Sequence, residues 1–254
     1  MKRLIVNADD FGRARGINRG VLRAHRDGIV TATTLMVGAP ASEDAGRMAQ
    51  EAPTLDVGTH LVLTYGRPVS DPASVPSLVE RDGSFPRRPD AFLGTGRADR
   101  DEALAEYRAQ VSRTRALLGR APTHLDSHHW LHDEPALEWA ITTLARETGL
   151  PVRPHDDAQR DRLRAAGIPT VDHYRRDFQH AGHVDIATLE RIIGDLDDGV
   201  TELGCHPGEP DAELAATSTY ASLRSDELAT LTDRRAKAAL ARNGVALAGY
   251  AVLR

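Results

Sequence analysis

The sequence predicts an α/β chain folded as one (β/α)-barrel-like domain over residues 1–254, complete or irregular, with mostly parallel strands. Three observations lead there. Short apolar or β-branched runs alternate with longer stretches of helical spacing. Seven or eight such runs fit within the length, nearly all separated by helices, which favours parallel pairing and right-handed crossovers. No Pro- or Ser-rich linker divides the chain into balanced halves. A doubly wound open sheet is the alternative architecture.

The elements follow in order. "RLIVNA" reads as the first strand. In "RGINRGVLRAHRDG" Ile17, Val21, Leu22 and Ala24 recur at helical spacing, and Gly28 can end the helix. "IVTATTLMV" is rich in β-branched residues and predicts the second strand. "SEDAGRMAQEA" follows as a helix capped by Ser42, and "LDVGTHLVLT" as the third strand. Residues 65–97 break the rhythm with Pro68, Pro72, Pro76, Pro86 and Pro89. A loop of that length predicts a lid or binding loop over the site. The rhythm resumes with a helix over 101–118, the strand "THLDS" and a helix after Pro135. Short strands "LPVRP" and "GIPTV" come next, then a helix over 185–196 and the strand "TELGCH". One helix over 225–242 and a last strand, "VALAGYAV", complete the chain.

Composition narrows the function classes. Hydrophobic residues make up 41% and charged residues 27%, an ordinary globular balance. The formal charge of -5 argues against general nucleic-acid binding. The single cysteine, Cys205, precludes an intramolecular disulfide and fits a reducing compartment. No apolar run approaches the roughly 18 residues of a membrane helix. The start, "MKRLIVNADD", is too short in apolar residues for a signal peptide, so a cytoplasmic protein is expected.

Active sites of such folds lie at the C-terminal ends of the strands. The first strand ends at Asp9-Asp10, and adjacent side chains there should point in different directions. Alone, the pair reads as a solvated acidic turn. His60 lies on the third strand and His206 ends the late strand. "THLDSHHWLH" supplies His124, Asp126, His128, His129 and His132, with His124, Asp126 and His128 on one face and Leu125 on the other. That density favours a metal site. Imidazole with carboxylate suits Zn²⁺ or another transition metal, and Mg²⁺ less well. Three protein ligands leave open positions, as in catalytic sites, and one aspartate can bind the ion while its neighbour takes a proton. Asp126 and the remaining histidines would orient the ligands. No Gly-x-Gly-x-x-Gly follows the first strand, and neither a phosphate loop nor a Gly-x-Ser-x-Gly elbow occurs.

The ordered set "LIVNADDFG", "GIVTATTLMV", "VGTHLVLT", "PTHLDSHHWLH" and "ELGCHPG" resembles the YdjC-like carbohydrate deacetylases, the ChbG-type chitooligosaccharide deacetylases. "SLRSDELATLTD" is similar to their C-terminal segment. The resemblance implies a barrel-like fold and removal of acetyl groups from N-acetylated sugars. It also implies one divalent ion, usually taken as Mg²⁺, and a homodimer. Carried over by motif, Asp10, His60 and His128 are the metal ligands and Asp9 the base. His206 becomes the general acid or oxyanion partner. The family commonly reads Asp-Ser-His-His-His-x-His, whereas this chain has Trp130 at the third histidine. Trp130 either offers a stacking wall to a sugar ring or packs beneath the loop. Arg153 either binds a sugar hydroxyl or an acidic group, or is a surface residue. Two other readings stay open: a metal-dependent sugar isomerase or lyase on a similar barrel, and a non-catalytic sugar-binding relative.

Overall fold

A computed structural model of the chain describes residues 1–209, 211, 214 and 220–253. The elements run β1 (Lys2–Phe11), α1 (Arg15–Asp27), β2 (Ala32–Leu35), α2 (Ser42–Gln50) and β3 (Asp56–Leu61). They continue with α3 (Arg100–Leu118), β4 (Leu125–Ser127), α4 (Pro135–Thr148), α5 (Asp157–Ala165) and β5 (His173–Arg175). The last are α6 (Ile186–Gly194), β6 (Gly199–Cys205), α7 (Ala221–Leu231), α8 (Arg234–Arg242) and β7 (Val245–Leu247). Among the described residues no helix is long and apolar enough to cross a membrane.

All strand pairs are parallel, in the order β4-β3-β2-β1-β6-β5, and β7 pairs with the first residues of β1. β1 lies at the centre and is buried from Leu4 to Phe11. Leu4, Val6 and Ala8 pack outward with Ile17, Val21 and Leu22 of α1. Alternation then turns Ile5, Asn7 and Asp9 inward. Leu125 likewise packs outward, beside Leu137 and Ile141 of α4.

The expected barrel-like class holds, and the irregularity has a cause. Beyond β4 the ring continues through single hydrogen bonds. Leu125 N–H donates to Pro151 O and Arg153 N–H to Leu125 O, and Val152 N–H donates to Pro169 O. Pro151, Pro154 and Pro169 have no N–H to give, so regular ladders cannot form there. "LPVRP" is therefore a single bridge at Val152, not a strand. "GIPTV" is no strand either; the strand on β6 starts later, at His173.

Three further expectations are corrected. α5 is missed by sequence because it is polar, with only Gln159 and Leu163 buried. Its start was still legible, since Asp156 caps it by accepting from Gln159 N–H. The helix expected over 225–242 is two helices, because Asp233 accepts from Arg235 N–H and restarts the chain as α8. Ser42 is the first residue of α2 and does not cap it. Residues 65–97 contain two short 3₁₀ turns and no strand, and bury Val75, Leu78, Phe85 and Phe92.

α1 also positions the segment after β6. A Cβ at Gly20 would lie 2.4 Å from Gly208 Cα, two residues beyond His206. Gly20→Ala is therefore expected to cost roughly 1–3 kcal/mol through overpacking, read as a lower denaturant midpoint. Unchanged stability would mean that this contact is soft.

Candidate active site

The site begins with a backbone irregularity. Asp10 has φ 67, and the register of β1 on β2 shifts between Ala8 and Phe11. Aspartate tolerates this left-handed region better than most residues. The turn is held by Asn18 of α1, which accepts from Gly12 N–H at 2.8 Å and donates to Ala41 O at 3.0 Å. The expectation that Asp9 and Asp10 point in different directions is corrected here. The left-handed residue interrupts the alternation, and both carboxylates line one cavity of about 370 Å³.

Asp10, His60 and His128 converge on one point. Asp10 Oδ1 lies 3.6 Å from His60 Nε2 and 3.4 Å from His128 Nδ1, and the two ring nitrogens are 3.2 Å apart. That oxygen is buried and has no hydrogen-bond partner among the described residues. Buried polar atoms are rarely left so. An orphan carboxylate oxygen facing two imidazole nitrogens fits a divalent cation. The other oxygen, Oδ2, is held by Arg224. Asp126 Oδ1 lies 2.6 Å from His60 Nδ1. A proton held between that pair leaves His60 Nε2 as a lone pair toward the site. Thr34 donates to Asp126 Oδ2 at 3.0 Å. A second grouping, Asp9, His60 and Asp126, has similar spacing. It is the poorer cation site because the Arg153 guanidinium already occupies both of its carboxylates.

Arg153 is not a surface residue. It is 1% exposed, below the cavity floor. Its Nη1 and Nη2 donate to Asp9 Oδ2 and Oδ1 at 2.8 and 2.7 Å, Nη1 also reaches Asp126 Oδ2 at 2.9 Å, and Nε donates to Glu202 at 2.5 Å. Asn7 Nδ2 donates to Asp9 Oδ1 at 2.9 Å. Burial alone would raise the Asp9 carboxyl, but the guanidinium outweighs it and holds Asp9 well below the usual range. Asp10 is held low in the same way by Arg224, His128 and Arg13 against the effect of burial.

His206 stands on the cavity wall with Nε2 3.8 Å from Asp9 Oδ2. Burial pushes its imidazole down to about 4, so it is neutral at rest. Its backbone N–H donates to Glu227, whose carboxyl burial pushes up to about 7. Tyr220 donates to the other Glu227 oxygen at 2.5 Å. Trp130 lines the cavity rim. His132 does not reach the cavity. It is buried beneath the 128–133 turn, with Nδ1 on Ser127 Oγ. His124, also interior, stacks on Tyr250 with centroids 3.5 Å apart and contacts Asn7 at 3.1 Å. Cys205 is buried, its S–H donates to Asn7 O, and burial pushes the thiol up.

Sequence reasoning missed Arg224, Glu202, Asn7, Asn18 and Glu227. Arg224 and Glu227 lie within "SLRSDELATLTD", so the motif flagged the segment without the residues. Glu202 and Asn7 occupy inward strand positions that look like ordinary alternation.

Removing Arg153 would leave Asp9, Asp126 and Glu202 buried without their counter-charge. Arg153→Met is expected to cost ~3–5 kcal/mol in denaturant unfolding, and Arg153→Lys to restore little, lacking the planar fork. Wild-type stability in either would refute the clamp. His132 gives a pH signature. Burial pushes it from 6.5 down to about 3, so the unfolded chain takes up a proton before the native one does. Its contribution is whole above the unfolded value and is lost as pH falls toward the folded one. His132→Gln should flatten the fall of melting temperature on that acid side.

A model of the YdjC-like protein family matches residues 3–242. A carbohydrate deacetylase of Geobacillus stearothermophilus is 44% identical over 250 residues, covering 97% of this chain and 96% of that protein. A chitooligosaccharide deacetylase of Yersinia pestis (strain Pestoides F) is 34% identical over 252 residues, covering 98% of each. A crystal structure from Enterococcus faecalis V583, of a protein named for cellobiose-phosphate cleavage, superposes with a TM-score of 0.91 at 32% identity, covering 99% of this chain and 98% of that one. The chain belongs to the YdjC-like family.

Proposed function

We propose that the protein is a metal-dependent deacetylase that hydrolyses the acetamide of an N-acetylated, chitooligosaccharide-like sugar to acetate and an amino sugar. The observation that carries this reading is the orphan Asp10 Oδ1 facing His60 and His128, one residue from an Asp9 fixed by Arg153. Asp10, His60 and His128 would hold the ion. When bound, it would polarise the acetamide carbonyl and make water more acidic. Mg²⁺ is the ion by family resemblance, and Zn²⁺ or another transition metal by donor type.

The chain's own residues supply the proton path. Arg153 keeps Asp9 ionised and orients it, so Asp9 Oδ2 can accept the proton of the attacking water. Water adds to the acetamide carbon and the C–N bond then breaks. His206, neutral at rest and facing Asp9 Oδ2, takes the proton up and delivers it to the departing amine. Asp126 orients His60, and His132 supports the turn that carries His128. The reading includes a cytoplasmic location, supported by a single cysteine that is free and buried. It includes a homodimer on family resemblance alone.

The name of the Enterococcus relative points to glycosidic cleavage. That chemistry needs a protonated carboxyl as acid opposite a second carboxylate. Here both cavity carboxylates are held ionised, and the two raised carboxyls are engaged, Glu227 by His206 N–H and Tyr220 and Glu202 by Arg153 and Tyr250. An isomerase or lyase would convert sugar without acetate. A binding protein would have no use for a base beside the ion.

The test is acetate release from N-acetylated mono- and oligosaccharides after loading with Mg²⁺, Zn²⁺, Co²⁺ or Ni²⁺, with bound metal measured in parallel. Chelation should stop release. Asp10→Ala and His60→Ala should lose both metal and activity. Asp9→Asn should keep metal and lose turnover, and His206→Ala should keep metal and lose ~10²–10⁴-fold in rate. Sugar conversion without acetate would overturn the reading.

A further inference from the structure

Trp130 stands at the cavity rim in an uncommon backbone state. Its φ is 51, and that of the preceding His129 is 60. Two successive bulky residues in the left-handed region persist only where surrounding contacts hold them, and such strain clusters at ligand sites. The contacts holding this one are specific. The His155 ring stacks on the indole at 5.5 Å with an interplanar angle of 18°, and the Arg176 guanidinium lies 5.0 Å from the ring centre. Asp133 Oδ1 in turn lies 2.6 Å from His155 Nδ1.

These two partners share one face of the indole. Arg176 Nη1 is only 2.6 Å from His155 Nε2. Groups stacked on opposite faces would be separated by the sum of their stacking distances and could not touch. The other face is therefore left to the cavity, which Trp130 lines together with Gln179 and His180. Gln179 adds an independent sign of a ligand. It is 7% exposed, and its amide nitrogen has no hydrogen-bond partner among the described residues. A flat apolar face in a cavity that polar side chains also line suits a pyranose, which presents C–H bonds on its face and hydroxyls on its rim.

We propose that the open face of Trp130 is a pyranose-binding subsite of this chain, made rigid by the His155–Arg176 pair behind it. The subsite rests on the deacetylase reading for which sugar occupies it, and replaces with an apolar platform the histidine usual in the family. Holding the ring in place before binding lowers the ordering cost when sugar arrives. Trp130 then sets affinity and ring preference without touching the ion.

The experiment compares the metal-loaded protein with its Trp130→Ala, Trp130→Phe and Arg176→Ala variants. Two probes are titrated by calorimetry: N-acetylglucosamine trimer, and glucosamine trimer, which has no acetyl group to lose. The KM and kcat of acetate release are measured alongside. Trp130→Ala should weaken both trimers about 3- to 10-fold and raise KM. Metal content and kcat should hold, Trp130→Phe should keep most of the affinity, and Arg176→Ala should fall between. Wild-type affinity in Trp130→Ala overturns the subsite. So does a parallel loss of metal and kcat, or failure of both trimers to bind the unaltered protein. Trp130-dependent binding without acetate release would sustain the subsite and remove the deacetylase reading.

Discussion

A guanidinium with almost no access to water organises the interior of this barrel. Arg153 joins Asp9 of β1, Asp126 of β4 and Glu202 of β6, so three separate strands meet on one side chain. A buried charge of this kind is tolerable only when its donors are taken up in good geometry. The planar fork of arginine meets that demand and lysine cannot. The same contacts reach the chemistry, since the group that fixes Asp9 also touches the carboxylate that orients His60. Below it the polar network continues through Glu202 and Tyr250 to the stacked His124. The interior is thus polar around Arg153, with a small apolar cluster of Ile5, Ala32, Val171, Val200 and Tyr250 beside it and the larger apolar packing outside the strands.

Asp9 and Asp10 differ because of what each faces. Asp9 has both oxygens engaged by Arg153 and looks toward His206. Asp10 has one oxygen on Arg224 and the other aimed at His60 and His128. The left-handed turn at Asp10 makes this division possible. In regular β structure one of the two would have faced the helical layer, away from the cavity.

The cavity of the site shares Arg13, His128 and His129 with a second, of about 680 Å³, which Gly66, Arg67 and Phe85 of the long loop also line. Trp130 and this loop therefore border the ligand centre from different parts of the chain. The loop contains none of the proposed metal ligands, whereas Trp130 shares the 128–133 turn with His128. Recognition can vary in this framework while the central ion pairs stay constant.

The sequence by itself determined the α/β order, the first strand and the segments that hold Asp9, Asp10, His60, His128 and His206, because strand alternation and motif spacing are local properties. It also carried the motif resemblance that named the family. Tertiary structure decided the rest. The fate of "LPVRP" and "GIPTV" turned on prolines facing neighbours that sequence does not reveal. The direction of Asp10 turned on Asn18, held in another element. The role of Arg153 turned on three carboxylates in other elements, two of them 49 and 144 residues away along the chain. The open face of Trp130 turned on His155 and Arg176 touching each other. Each of these depends on which distant groups share a buried volume, and periodicity along a chain contains no record of that.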